Sequence, residues 1–557
     1  MSHKITRREV LVAATSALLL PTACASVEER IIGEKQPAKY AHGVASGDPD
    51  QNSVVIWTRI SDAQKAVSVE WLVAEDAKFK NVINHGHQAT SETRDYTVKV
   101  VVDSLKPGTN YYYKFLVAGV SSPVGQTHTL PTGHVESLVL AVASCSNYPF
   151  GYFNAYDAIA RDPDIDLVVH LGDYIYEYSE TGYGADTGKR IGRVHEPRHE
   201  ITSLADYRLR HAQYKTDEGS QAMHARHPLV VIWDDHESAN NPWMDGAENH
   251  QADEGSWERR KAVSLQAYFE WLPIRDPAKN QTREEYWRHY KFGDLASLIT
   301  LESRHTGRSK QIDYADHQSQ VKTPKQAKEF YQSVVAAPER TLLSNEMEQF
   351  LEHELAESVN AGRRWRIIGN QCVMAKSISP KLEGSLFDSL RLTLDERGKN
   401  MLAGLTGVGA LELPGGMDGW NGYPVARERF YQIARNAGAR DLLVLSGDSH
   451  SCWANSLFDA DDQAMGLELG ATGISSPSPW LAFGEEGIKR YDALVAETNK
   501  EIAWADGRHR GFIRLHVDHD GAKADFIAVS NVESRNYTLD TIHSVDIQFA
   551  DDTIEYV

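Results

Sequence analysis

Apolar and polar positions along the 557-residue chain change rhythm once. Between residue 38 and about 132, short runs rich in β-branched and aromatic side chains alternate with turn signals: VVIWTRI (54–60), VSVEWLVA (67–74), YTVKVVV (96–102) and YYYKFLVA (111–118). Such runs predict strands, and their close succession predicts an all-β module. TLPTG (129–133) marks its exit. From residue 134 to 557, apolar runs alternate with helical stretches, which predicts an α/β domain. The runs are LVLAVAS (138–144), DLVVHLG (166–172), PLVVIW (228–233), ASLITLE (296–302), RWRIIG (364–369) and DLLVLSG (441–447). WERRKAVSLQAYFEWL (257–272) has helical spacing and ends before Pro273. SNEMEQFLEHELAES (344–358) predicts a second helix, with Ser344 or Asn345 as its N-cap.

Most of the α/β runs end in coordinating or polar residues: Cys145, Asp173, Asp234-Asp235-His236, Arg304, Asn370-Gln371, and Asp448 with His450. In α/β sheets, ligands bind at the carboxyl ends of strands. One polar strand end is ordinary loop chemistry; a series rich in Asp and His is not. Adjacent carboxylates at the end of a buried run are costly unless paired, and a multivalent cation removes that cost. In HLGDYIYE (170–177), Asp173 and Tyr176 stand on one loop and can reach one ion. In LSGDSHSCW (445–453), Asp448 and His450 lie two residues apart, on one side of an extended segment. A phenolate favours a hard trivalent ion, because an ordinary tyrosine keeps its proton to about pH 10. Two metals sharing a carboxylate are a common device for hydrolysing phosphate esters.

Length and charge narrow the picture. A chain this long exceeds one compact core, so two domains are expected. Its 78 acidic against 58 basic residues give a net charge of −20, which argues against nucleic acid as a partner. Residues 1–25 read as an export signal, with Arg7-Arg8 ahead of an apolar stretch resembling the twin-arginine signal. Twin-arginine machinery is therefore an expected partner, and a periplasmic or secreted location follows. Cys24 either carries a lipid anchor or is discarded at an Ala-x-Ala cleavage site. The remaining cysteines, Cys145, Cys372 and Cys452, form no disulfide framework, although one bridge stays open.

Taken together, the motifs resemble the PhoD family of alkaline phosphatases, within the calcineurin-like metallophosphoesterases. The likeness runs through HGVASGDP (42–49), VIWTR (55–59), ASCSN (143–147), HLGDYIYE (170–177), YRLRHAQYKTD (207–217), VIWDDHESANN (231–241), LSGDSHSCWAN (445–455), GISSPS (473–478) and RHRGFIRL (508–515). It implies an αββα metallophosphatase sandwich over 134–557. Ahead of it, LKPGTNYYYKF (105–115) is similar to the corner that a tyrosine caps in fibronectin-type or immunoglobulin-like β-sandwiches, which fits 38–132.

The resemblance further implies Fe³⁺ held by Cys145, Asp173, Tyr176 and His450, and Ca²⁺ held by Asp173, Asp448 and Asp235. It implies His236 and Arg304 as catalytic residues, working with a metal-bound hydroxide on phosphate-ester substrates. Arg304, Arg308 and Asn240 are expected to contact substrate. The family's L-D-T-R segment reads Leu301-Glu302-Ser303-Arg304 here, so one or two calcium ions remain open. Asp235 stands where wider relatives carry Asn. Rival readings are a phosphodiesterase or phospholipase D-like enzyme on the same centre, and an exported binding protein with an inactive metal domain. Cys372, Cys452 and His170 are expected in the core, Asp234 as a supporting acid, and His195 and His199 in loops. Trp420 and Tyr423 either floor the pocket or pack. The C-terminal stretch 543–557 reads as strand or tail, with no lid.

Overall fold

The computed structural model describes residues 38–557, so the export segment and Cys24 lie outside the described residues. The N-terminal module is a β-sandwich. One face carries Val44–Gly47, Val54–Arg59 and Thr97–Val102; the other carries Val67–Ala74, Val82–Thr90, Asn110–Val117 and Gly125–His128. Ile56, Val69, Val98, Tyr111 and Phe115 fill the space between them. The tyrosine corner is present: Tyr111 Oη accepts the Lys106 N–H at 2.9 Å. Val82–Thr90 escaped the sequence reading because it is an edge strand with mostly exposed side chains, so it lacks an apolar stripe.

The first face of the sandwich is not a separate sheet. Val44–Gly47 runs parallel beside Leu229–Val231, with Gly47 opposite Leu229, and so extends the ten-stranded sheet of the α/β part. Asp48, fully buried, fastens the same junction. It accepts the Arg275 backbone N–H at 2.8 Å, Arg288 Nη1 at 3.0 Å and the Tyr290 hydroxyl at 3.1 Å.

The α/β part has four layers. Ser137–Ala143, Leu167–His170 and Leu229–Val231 are parallel neighbours in the first sheet. Ala296–Thr300, Trp365–Gly369 and Leu442–Ser446 are parallel neighbours in the second, seven-stranded sheet. Leu140, Val142, Val169, Leu298, Ile367, Leu443 and Ile513 form the core between the sheets. Helices Asn154–Arg161, Leu204–Tyr214, Glu218–Arg226 and Trp257–Trp271 bring Tyr156, Tyr207, Met223 and Leu265 into the core outside the first sheet. Asn345–Asn360, Pro424–Ala437 and Gly484–Thr498 bring Leu351, Phe430 and Ile488 into that outside the second. Strands 365–369 and 442–446 are covered on both faces and buried at every position, which calls for mostly apolar runs; the exception Arg366 is paired with Asp441. Ser344 is the N-cap of its helix, its Oγ accepting the Met347 N–H at 3.2 Å.

The C-terminus forms a hairpin, Leu539–Ala550 with Thr553–Tyr556, on the edge of the first sheet. Cys145, Cys372 and Cys452 are all buried and free, which closes the possibility of a bridge among them. Among the described residues no helix is long and apolar enough to cross a membrane.

Candidate metal centre

The strand-end loops converge at one place, and their backbones are held in an unusual conformation. Cys145, Asp173, Asp448 and His450 have φ values of 60°, 58°, 62° and 55°. The left-handed region is uncommon for residues other than glycine, and such residues cluster at functional sites. The loops hold one another. Cys145 N–H donates to Gly172 O at 3.1 Å, and Ser146 N–H to Asp173 O at 2.9 Å. Gly172 has φ +109°, and a Cβ there would lie 2.6 Å from the Asp234 backbone nitrogen, so this approach of the two loops requires glycine. Glu237 clips them together: its carboxylate accepts the N–H groups of Asp173 at 3.2 Å, Tyr174 at 2.6 Å and Asp234 at 2.9 Å.

Within this frame Tyr176 Oη donates to Asp173 Oδ2 at 2.9 Å, accepts Ser476 Oγ at 2.9 Å and lies 3.0 Å from His450 Nε2. Ligand atoms of Cys145, Asp173 and His450 lie within 4.8 Å of one another, as do those of Asp173, Asp235 and His236. Asp173 belongs to both groups. Asp173 Oδ1 and Asp235 Oδ1 are buried without a hydrogen-bond partner. Burial, then the neighbouring Asp235, pushes the Asp173 carboxyl well above its ordinary range. Burial, then Asp173, does the same to the Cys145 thiol. Burial lifts Asp448 to about 7. Unsatisfied oxygens, a thiol, a phenol and an imidazole aimed at common points form a donor set that fits multivalent cations.

His236 is oriented from behind. Its Nδ1 lies 2.7 Å from Glu177 Oε2, and its ring stacks on Tyr176 at 4.2 Å. Glu177 is itself fixed by the Asn240 N–H and by Asn249 Nδ2, each at 2.8 Å. Burial disfavours a charged ring, but the carboxylates of Asp235, Glu177 and Asp173 outweigh it and raise His236 well above its ordinary value.

Asp173, Asp235, His236, Asp448 and His450 line a cleft of about 700 Å³, with Asn240 also on its lining. Met401, Trp453, Trp480 and Tyr491 give the same cleft an apolar wall. Arg304 and Arg308 are fully buried and lie outside the lining. Arg304 is gripped by Asp234 at 2.5 Å, Asp418 at 2.7 Å and Asp448 at 3.4 Å; Arg308 is paired with Asp418. Asp234 is thus a supporting acid. Glu302 accepts Trp233 Nε1 and the N–H groups of Arg304, His305 and Thr306, so both its oxygens are engaged in shaping a turn.

Trp420 and Tyr423 pack instead of flooring the pocket: Trp420 Nε1 donates to Asn370 Oδ1 at 3.1 Å, and Tyr423 Oη to Ser309 O at 2.7 Å. His170 is a core residue, 2.7 Å from the Tyr156 hydroxyl. His195 is buried on Tyr214, whereas His199 is mostly exposed beside Asp206. Two polar lining residues that the sequence reading missed bear on the chemistry. Tyr183 lies 3.4 Å from His450 Nδ1 and donates to Pro477 O at 3.1 Å. Arg397, at the start of helix Glu396–Ala410, is the one Lys or Arg side chain on the lining among the described residues. Neither sits at a strand end, so neither carried a signal.

Comparison with known proteins places the whole chain. The PhoD-like phosphatase family model matches residues 140–526, and the PhoD-like phosphatase N-terminal domain matches 25–131. The chain is 33% identical over 503 residues to alkaline phosphatase D of Bacillus subtilis (strain 168), covering 87% of this chain and 77% of that protein. It resembles a solved structure of PhoD with a TM-score of 0.75 and 31% identity, covering 94% of this chain and 93% of that one. The chain therefore belongs to the PhoD-like phosphatase family, enzymes that hydrolyse phosphoric esters.

Proposed function

We propose that this phosphatase is metal-dependent and works at the Asp173 centre. One observation carries the reading: Asp173 is common to the Cys145–Asp173–His450 group and the Asp173–Asp235–His236 group. The donors differ on the two sides. Cys145, Tyr176 and His450 suit Fe³⁺, while the carboxylates of Asp235 and Asp448 suit Ca²⁺. The full engagement of Glu302 supports one calcium over two. When bound, such ions neutralise phosphoryl oxygens and lower the pKa of water.

The chain's own side chains do the remaining work. Glu177 fixes Nδ1 of His236, which leaves Nε2 as the atom that hands a proton to the departing alkoxide. Arg304 draws Asp234, Asp418 and Asp448 together and so positions Asp448. Direct grip of the phosphate by Arg304 or Arg308, the expectation from sequence, would break these pairs. Arg397 takes that task in this reading. Arg397→Ala is expected to raise KM for p-nitrophenyl phosphate about tenfold, roughly 1.4 kcal/mol, and to leave kcat within about twofold. An unchanged KM removes Arg397 from substrate binding.

The apolar wall of Trp453, Trp480 and Tyr491 offers a surface for a second ester group, which favours phosphodiesters as additional substrates. Paired rates on p-nitrophenyl phosphate and bis-p-nitrophenyl phosphate, with metal analysis of the same preparation, test both readings. Turnover with iron and calcium present is the expected result. Neither metal and no turnover would instead identify a binding protein with an inactive site. Cys145→Ser should shift the visible tyrosinate-to-iron band; an identical spectrum argues against a thiolate ligand. The Arg7-Arg8 segment supports twin-arginine export to a periplasmic or secreted location. The mass of the mature N-terminus distinguishes an acylated Cys24 from a discarded one.

A further inference from the structure

Two histidines and an aspartate meet where three separate stretches of chain touch, away from the cleft. His134 lies on the linker leaving the β module. Asp294 is in the turn between strands His289–Phe292 and Ala296–Thr300, and His519 in the turn between Arg510–Asp518 and Gly521–Val529. His134 Nδ1 is 2.9 Å from Asp294 Oδ2, and His519 Nε2 is 3.6 Å from Asp294 Oδ1. The imidazoles stack with centroids 5.0 Å apart and planes 18° from parallel. One ligand atom from each residue lies within 4.8 Å of the others, and the Val135 carbonyl oxygen is 3.0 Å from His519 Nε2.

The bland account is a surface ion pair, worth about 0–1 kcal/mol. It explains the contact of His134 with Asp294. The second imidazole stacks on the first, and its Nε2 is 3.0 Å from the Val135 carbonyl and 3.6 Å from the other carboxylate oxygen, so both rings turn a nitrogen toward one carboxylate. A cation at the point where these atoms converge would exchange the separate hydrogen bonds for ligand bonds from both rings and the carboxylate.

The three segments are also held in place by contacts of their own. Asp294 N–H donates to Gly133 O at 2.9 Å, and Val135 N–H to Asp294 Oδ1 at 3.0 Å. Arg364 donates its N–H to Asp294 O at 3.1 Å and its Nε to His519 O at 3.0 Å. Asp518 Oδ1 accepts the Asp520 and Gly521 N–H groups at 2.8 and 2.9 Å and fixes the His519 turn. Gly293, at φ +51°, brings its turn against the Gly133 carbonyl, where a Cβ would collide. Donors already held in place lose little freedom when an ion arrives. The side chains are 66%, 44% and 36% exposed for His134, Asp294 and His519, so ions in solution can reach them.

We propose that His134, Asp294 and His519 bind a divalent transition-metal ion of the zinc class that ties the interdomain linker to both sheets. Two imidazoles and a carboxylate select zinc, nickel or copper over calcium or magnesium. The site lies at the opposite end of the sandwich from the chemistry. Strand Ser137–Ala143 starts just after His134 and leads to Cys145, and Ala296–Thr300 starts just after Asp294 and leads to Arg304. Its occupancy should therefore change stability and leave catalysis alone.

The test titrates zinc into the holoenzyme by calorimetry and follows the thermal midpoint, for wild type, His134→Ala and His519→Ala. Activity on p-nitrophenyl phosphate, equal in all three, certifies folding and an intact catalytic centre. The expected result is one zinc equivalent in wild type that raises the midpoint. Either substitution should weaken that equivalent at least tenfold and abolish the midpoint shift. Equal zinc affinity, stoichiometry and midpoint shift in all three proteins would overturn the proposal, as would wild type binding no zinc. Zinc that lowers activity equally in all three without moving any midpoint would assign it to the catalytic centre and overturn the proposal too.

Discussion

Replacing Asp173 with Asn is expected to lower turnover on the order of 10³-fold, about 4 kcal/mol, and to lose the metals. The substitution is nearly isosteric, and Asn tolerates the left-handed backbone that Asp173 adopts at φ 58°, so the loop should keep its shape. The amide oxygen can still accept the Tyr176 hydroxyl, which Asp173 does at 2.9 Å. What disappears is the negative charge and the second oxygen, Oδ1, which has no partner in the protein. A carboxylate common to both donor groups has no substitute, because Cys145 and His450 stand on one side of it and Asp235 on the other. Metal content by elemental analysis and kcat on p-nitrophenyl phosphate, with circular dichroism as the folding check, measure the effect. Turnover within tenfold of wild type, with metals retained, would rule out a shared role for Asp173.

Asp48→Ala should be the most damaging change outside the centre, costing about 3 kcal/mol and lowering the thermal midpoint by several degrees. Asp48 is fully buried and is the carboxylate partner of Arg288 and Arg275, with the Tyr290 hydroxyl as a further donor. Asp48, set against burial, is the main influence holding Arg288 well above its ordinary value. Removing it leaves mostly buried guanidinium groups without a counter-charge. Alanine also fits poorly at φ 46°, where Asp and Asn are better tolerated. Asp48→Asn keeps the backbone geometry and some of the hydrogen bonds, so it should lose distinctly less. Because the β module shares a sheet with the α/β part, both should unfold earlier together in the alanine variant. A midpoint unchanged in Asp48→Ala would show that the junction is held by the sheet alone.

Much of the fold was legible because its signals are local. VSVEWLVA coincides with the strand Val67–Ala74, and DLLVLSG contains Leu442–Ser446. Burial on both faces forces continuous apolar runs, and a run of that kind can be read without knowing its neighbours. Ser344 as N-cap and the Tyr111 corner are likewise short-range devices. The edge strand Val82–Thr90 was not legible, because its side chains are mostly exposed on both faces and so form no apolar alternation.

The site divides along the same line. The sequence by itself determined which residues gather: Cys145, Asp173, Tyr176, Asp235, His236, Asp448 and His450 all follow apolar runs, and those strands deliver their ends to one place. Only the tertiary structure decided what surrounds them. It buries Arg304 and Arg308 among Asp234, Asp418 and Asp448, closes Glu302 into a turn, and brings Arg397 to the cleft from a helix distant in sequence. It also runs the first sheet through the boundary that composition draws near residue 132. The physical reason is range. Strand burial and caps depend on residues a few positions apart, whereas the partner of a buried charge is chosen by whichever carboxylate the packing of distant elements brings within reach.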